Sequence, residues 1–246
     1  VEKRKELEAS FEKIVMSKPE LNMAYIGLLG NLKKAYTDIE PYGLARDYYS
    51  EITSKIEILG FANQLKGIVN AYEKNGEAGY AAAKSKALST LEDQYGDYSI
   101  DVDKKLFEVL MEMYVADQKT EYVSPYFKDL LKQNDNSYAK TAATVFEKSK
   151  IYCLKDLQPL LTGNAKDICE AIKNDIAYQL TLDMQETFRN KVAENLNSMQ
   201  AEINQLQRLY MQAQMDVFTQ KAFYPDANST LRVTYGNVKP SYPRDG

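Results

Sequence analysis

Cysteines, paired carboxylates, tyrosines and one glycine pair are the groups in this sequence whose types and spacing could do chemistry. Cys153 and Cys169 fit no metal-ligand spacing and leave any four-thiolate site short of ligands. They read either as free or buried thiols, or as one disulfide tying two short helices with Gly163 turning the chain between them. Glu6/Glu8, Glu40/Asp47 and Asp101/Asp103 could be imagined as acid–base dyads. On charged helix faces and at helix starts, such pairs are solvated or cap-forming. Tyr48, Tyr49, Tyr95, Tyr98, Tyr122 and Tyr126 could line a peptide groove, because tyrosine offers rigid contact area with a polar tip. The reading we prefer puts them at helix–helix seams, with hydroxyls reaching water. Gly27-Leu28-Leu29-Gly30 lacks both the preceding strand and the third glycine of a nucleotide fingerprint. The chain has no histidine. Ser-His-Asp and Cys-His catalysis, and most zinc or iron sites, thereby lose their central residue. No catalytic residue, metal ligand or cofactor is expected from this chain.

The elements that would position such groups are helical throughout. Apolar residues make up 44% and charged residues 27%, which excludes collagenous and disordered classes. A net charge of −4, mixed along the chain, offers no basic stripe for nucleic acid. The longest apolar candidate, Met23 to Gly30, falls far short of a membrane span. The charged start Val-Glu-Lys-Arg-Lys-Glu is helical in character and begins without a cap, so it reads as a chain cut from a longer one rather than a signal peptide. Leu7, Phe11 and Ile14 mark a first helix that stops near Pro19. A second runs from about Glu20 to Ile39 and is ended by Glu40-Pro41-Tyr42-Gly43. A third runs from about Leu44 towards Tyr72, with Asn75-Gly76 terminating it, and a fourth from Glu77 to Tyr95. Asp101 can cap a helix whose apolar face is Leu106, Val109, Leu110, Met113 and Tyr114. Ser124-Pro125 and Ser137 open two more, and Cys153 to Leu161 is short and interrupted by Pro159.

The last helix carries Val192, Leu196, Met199, Ile203, Leu206, Tyr210, Ala213 and Val217, with gaps that alternate between four and three residues. That is a heptad seam. Intramolecular antiparallel packing, with the first helix as partner, explains it better than a parallel dimer. A domain whose first and last helices pair has adjacent termini, which is what insertion into another domain needs. The expected fold is all-α: a multi-helix bundle with long first and last helices packed antiparallel, plus a short extended C-terminal segment. Residues 1–220 form the helical part. Residues 221–246 form a turn and a strand, Thr230-Leu231-Arg232-Val233-Thr234-Tyr235, with no second strand to pair it.

The run Phe223-Tyr224-Pro225-Asp226-Ala227-Asn228-Ser229-Thr230-Leu231-Arg232-Val233-Thr234-Tyr235-Gly236, followed by Val238-Lys239 and Pro243-Arg244-Asp245-Gly246, resembles serine peptidase family 46. These are bacterial dipeptidyl peptidases of the type-7 and type-11 kind. The resemblance implies a two-barrel, chymotrypsin-type parent with a large helical domain inserted between the triad histidine and aspartate and the serine. The insertion would cap the cleft and restrict it to peptide N-termini. Its partners would be the parent's own catalytic domain and peptide substrate, in a periplasmic or secreted enzyme, with a homodimeric parent left open. No catalytic or specificity position is matched here. Asp226, Asn228, Ser229, Thr230, Arg232 and Gly236 are family-motif residues that read as structural. Asn228 and Ser229 suit a turn, and Gly236 suits a positive φ or a close backbone approach. Contact of Asn228 or Arg232 with peptide is the functional alternative. The rival function is a standalone helical interaction module that dimerises through the seam.

Overall fold

The structure, a computed structural model, describes residues 2–224, 231 and 233–240. Among these residues every regular element is helical. They are α1 (Glu2–Ser17), α2 (Pro19–Tyr25), α3 (Leu28–Lys55), α4 (Glu57–Asp97), α5 (Ile100–Ala116), α6 (Pro125–Gln133), α7 (Tyr138–Lys148), α8 (Leu154–Leu160), α9 (Ala165–Lys173), α10 (Ile176–Phe188) and α11 (Glu194–Val217). A 3-10 turn covers Thr120–Tyr122, and a π turn, Arg189–Ala193, joins α10 to α11 without leaving helical backbone. The chain divides into two compact units. One combines the segment up to Leu29 with the segment from Gln207, and the other is Gly30–Leu206.

In the unit built from the two chain ends, α1 buries Phe11 and Val15. Phe11 meets Tyr210 edge-on at 5.5 Å and lies 6.5 Å from Phe218, so the first helix packs on the last as its apolar stripe requires. Tyr25 donates its hydroxyl proton to Asp216.

The larger unit holds one continuous core, from Ile52 on α3 to Met184 on α10. Here α3 and the α10–α11 helix run antiparallel. Lys34 feels the charge of Glu202, whereas Tyr49 stacks on Phe188 at 4.5 Å, so rising numbers on one meet falling numbers on the other. The heptad seam is spent inside the chain: Val192, Leu196, Ile203, Ala213 and Val217 are buried, and Met199, Leu206 and Tyr210 are half-buried.

Several helix limits differ from those the sequence suggests. The break expected at Pro41 is absent, because α3 runs through it. Losing one backbone hydrogen bond is outweighed by the packing that a continuous α3 allows, with Ala45 buried against Tyr122 and Val192. The break falls instead at Gly27, whose φ of 75° a glycine adopts without strain. A second unforeseen break, at Ile56, separates α3 from α4. The expected stop at Asn75-Gly76 is a sharp kink inside α4, with Gly76 at φ 61° and ψ −148°. The kink folds the chain back so that a Cβ on Gly79 would lie 2.5 Å from the Ala71 carbonyl oxygen. Gly76 occupies backbone space essentially reserved for glycine, so Gly76→Ala should lower stability by about 1–3 kcal/mol. Urea unfolding of the chain measures that loss directly. The cap of α5 is Ser99 by position rather than Asp101. Ser124 and Ser137 cap as expected, accepting from Phe127 and Lys140. Cys153 and Cys169 are free thiols, and Gly163 turns the chain at φ 132°.

The strand expected over Thr230–Tyr235 lies partly outside the described residues. Leu231 and Val233–Tyr235, which are described, form neither strand nor helix. A lone strand leaves its N–H and C=O groups unpaired, so it has nothing to hold it.

Candidate functional site

Of the family-motif residues, Asp226, Asn228, Ser229, Thr230 and Arg232 lie outside the described residues. Gly236 is described and exposed. Its φ falls outside the left-handed region, and a Cβ there would meet nothing within 4 Å. The tyrosines proposed for one groove are dispersed. Tyr95 and Tyr98 pack around Phe61, Tyr49 stacks on Phe188, and Tyr122 packs on Tyr42.

The buried carboxylates are spoken for. Asp103, 2% exposed, accepts from the Glu57 amide at 2.7 Å, the Ile58 amide at 2.9 Å and the Tyr98 hydroxyl at 2.9 Å. It thereby caps α4 from another helix, where Ile56 supplies no side-chain cap. Burial pushes its carboxyl above the ordinary value, although the three donors pull the other way. Asp175 caps its own helix through the Ala177 amide at 2.9 Å. It also ties down the preceding turn through Ser149 Oγ at 2.8 Å and the Lys150 amide at 2.7 Å. Asp183 accepts from Ser124 Oγ and from the Tyr126 amide at 3.1 Å. Tyr114 donates to the Tyr122 carbonyl at 3.0 Å and accepts from the Ser124 amide at 2.9 Å, and burial raises its phenol to about 12. These groups hold loops to helices, and where Asp103 comes near a second carboxylate, Glu57, its own oxygens are taken up by backbone amides and a tyrosine hydroxyl. No group of three or more His, Cys, Asp or Glu suited to a metal occurs among the described residues. Sequence reasoning missed the cross-helix role of Asp103 because a cap supplied from a distant helix leaves no local spacing signal.

One feature that offers an apolar surface is a groove of about 420 Å3 between α3 and α5. Leu44 and Tyr48 form one wall, and Leu106, Leu110 and Met113 form the other. Asp47, Glu51 and Lys55 edge the α3 side. Tyr48 spends its proton on Asp117, which raises the phenol to about 12. The sequence led us to read Leu106, Val109, Leu110 and Met113 as the core face of α5, with Tyr114. The structure corrects this: Phe107, Met111 and Tyr114 enter the core, Val109 and Met113 face outward, and Leu106 and Leu110 are half-buried, Leu110 against the edge of the core. Apolar residues on two sides of one helix make hydrophobic periodicity ambiguous.

Comparison with known proteins places this architecture. The Peptidase S46 family matches residues 1–246. This chain belongs to the S46 peptidase family. It is 30% identical over 243 residues to an Asp/Glu-specific dipeptidyl-peptidase of Flavobacterium psychrophilum, covering 98% of this chain and 33% of that protein. The Asp/Glu-specific dipeptidyl-peptidase of Capnocytophaga gingivalis is 30% identical over 247 residues, with 98% and 33% covered. Dipeptidyl-peptidase 7 of Porphyromonas gingivalis is 26% identical over 225 residues, covering 90% of this chain and 30% of that protein. The S46 chain spans about a third of the length of the curated relatives it matches. The likeness therefore extends through the helices, well beyond the C-terminal run. No helix among its described residues is long and apolar enough to cross a membrane.

Proposed function

We propose that this S46 chain is the non-catalytic helical cap of a serine dipeptidyl peptidase that releases dipeptides from peptide N-termini. The observation that carries the proposal is the family match across a chain that is helical and contains no histidine. A Ser-His-Asp triad needs a histidine as general base, so such a triad comes from elsewhere in the protein. The helical bundle acts sterically, by walling the cleft so that a free N-terminus enters and a continuing chain does not. Its partners are the catalytic part of the same protein and peptide substrate. A periplasmic or secreted location goes with that role. The rival, a module dimerising through the heptad seam, loses its main support because the seam is occupied within one chain.

The test is a dipeptide-release assay on the full-length protein and on this chain alone, using peptides with an acidic or an apolar second residue. Full-length protein should release dipeptides from free N-termini and not from acetylated ones, and this chain alone should release none. Hydrolysis by the isolated chain would overturn the proposal.

A further inference from the structure

The outward face of α5 points to where the rest of the protein sits, an inference that rests on the cap reading. Val102, Val109 and Met113 are 63%, 41% and 43% exposed, and Leu106 and Leu110 are half-buried between them. The α3–α5 groove and a second recess along Val102, Leu106 and Val109 share Leu106, so the apolar strip is continuous. From Val102 to Val109 and Met113 it runs about 16 Å along the helix. A solvated helix face would carry charge at these positions, and a contiguous apolar surface of this kind marks a contact site.

We propose that this strip is covered by the portion of the S46 protein outside this chain. Its occupant is an apolar helix or sheet face of that portion. Two observations select this occupant. The curated relatives are about three times as long as the segment matched here, which leaves ample chain to supply such a surface. The groove walls offer almost no hydrogen-bond partners: Leu44, Leu106, Leu110 and Met113 are apolar, and the Tyr48 proton already goes to Asp117. An extended peptide would bring unpaired N–H and C=O groups into that setting, at a cost that a self-paired helix or sheet face avoids. The rim charge is balanced, since Asp47 is paired with Arg46 at 2.7 Å and Glu51 lies one turn from Lys55, so apolar contact rather than an ion pair holds the occupant.

Hydroxyl-radical footprinting of Met113 tests this, comparing this chain alone with the full-length protein at equal radical dose. Oxidation of Met113 should fall by about tenfold in the full-length protein, as burial at the centre of an interface excludes solvent. The protection should be independent of added peptide and of protein concentration. Val109→Lys should leave the Tm of the isolated chain within about 1 °C, since surface changes cost little, and should restore Met113 oxidation in the full-length protein. Equal oxidation in both proteins would overturn the assignment. So would protection that needs a peptide, which would make the strip a substrate site, or protection that grows with concentration, which would make it a contact between copies. Dipeptide-only products from a full-length protein with unprotected Met113 would sink this inference and leave the cap reading standing. Loss of dipeptide release with Met113 protected would do the reverse.

Discussion

Asp103→Ala should destabilise the helical bundle by about 2–4 kcal/mol, because it orphans two amides at the start of α4 and removes the acceptor of a half-buried tyrosine. Urea unfolding followed by circular dichroism measures the loss. Asp103→Asn should cost less, since a carbonyl oxygen in the place of Oδ2 still accepts from the Ile58 amide and the Tyr98 hydroxyl, and only the Glu57 amide is left facing the amide nitrogen. The pH dependence follows from the direction of the shift. Burial raises the Asp103 carboxyl above its ordinary value of 3.8, so its contribution to stability is fully present below that value. The contribution is lost as pH rises through the raised folded-state value. The wild-type chain should therefore lose stability relative to Asp103→Asn over that interval. A wild-type chain that gained on the variant as pH rose through it would show that the three donors outweigh burial.

Phe11→Ala should have the second large effect, and a local one. Phe11 is buried and meets both Tyr210 and Phe218, in a unit whose other buried apolar groups are few: Val15, Tyr25, Leu28, Ala213 and Val217. Truncating a buried phenylalanine costs about 3–5 kcal/mol, which is a large fraction of what so small a unit can hold. Amide exchange should become fast in Glu2–Ser17 and in the described residues from Gln207, while the amides of Glu57–Tyr72 keep their protection. Uniform loss of protection along the chain would mean that the two units unfold together.

These two sites also mark how much the sequence disclosed. The stripe of Leu7, Phe11 and Ile14 and the seam from Val192 to Val217 were legible because a helix packed on one side writes its contacts at fixed intervals. The same signal misled at α5. There Val109 and Met113 look inward by pattern and face outward in space, because both faces of that helix are apolar. Pro41 looked like a stop because its local penalty is visible in sequence, while the packing of Ala45 on Val192 that offsets it is not. Asp103 was read as a local cap or a solvated charge. Its role depends on Glu57 and Ile58 reaching it from far away in sequence, and no spacing rule records that. The C-terminal run carried the family likeness through residue identity alone. Leu231, Val233 and Tyr235 alternate as a strand would, yet they stand exposed here, with no strand among the described residues beside them.

The proposed steric role of the helices is tested most directly by the lengths of the products released by the full-length protein, with and without Asp103→Ala. Mass spectrometry of the digest of a long peptide with a free N-terminus gives the ratio of dipeptides to longer fragments. A bundle that walls the cleft predicts dipeptides alone from the wild-type protein, and longer fragments once the start of α4 is loosened, as amide exchange in Glu57–Tyr72 would verify. A product distribution still confined to dipeptides, while those amides exchange freely, would contradict the account.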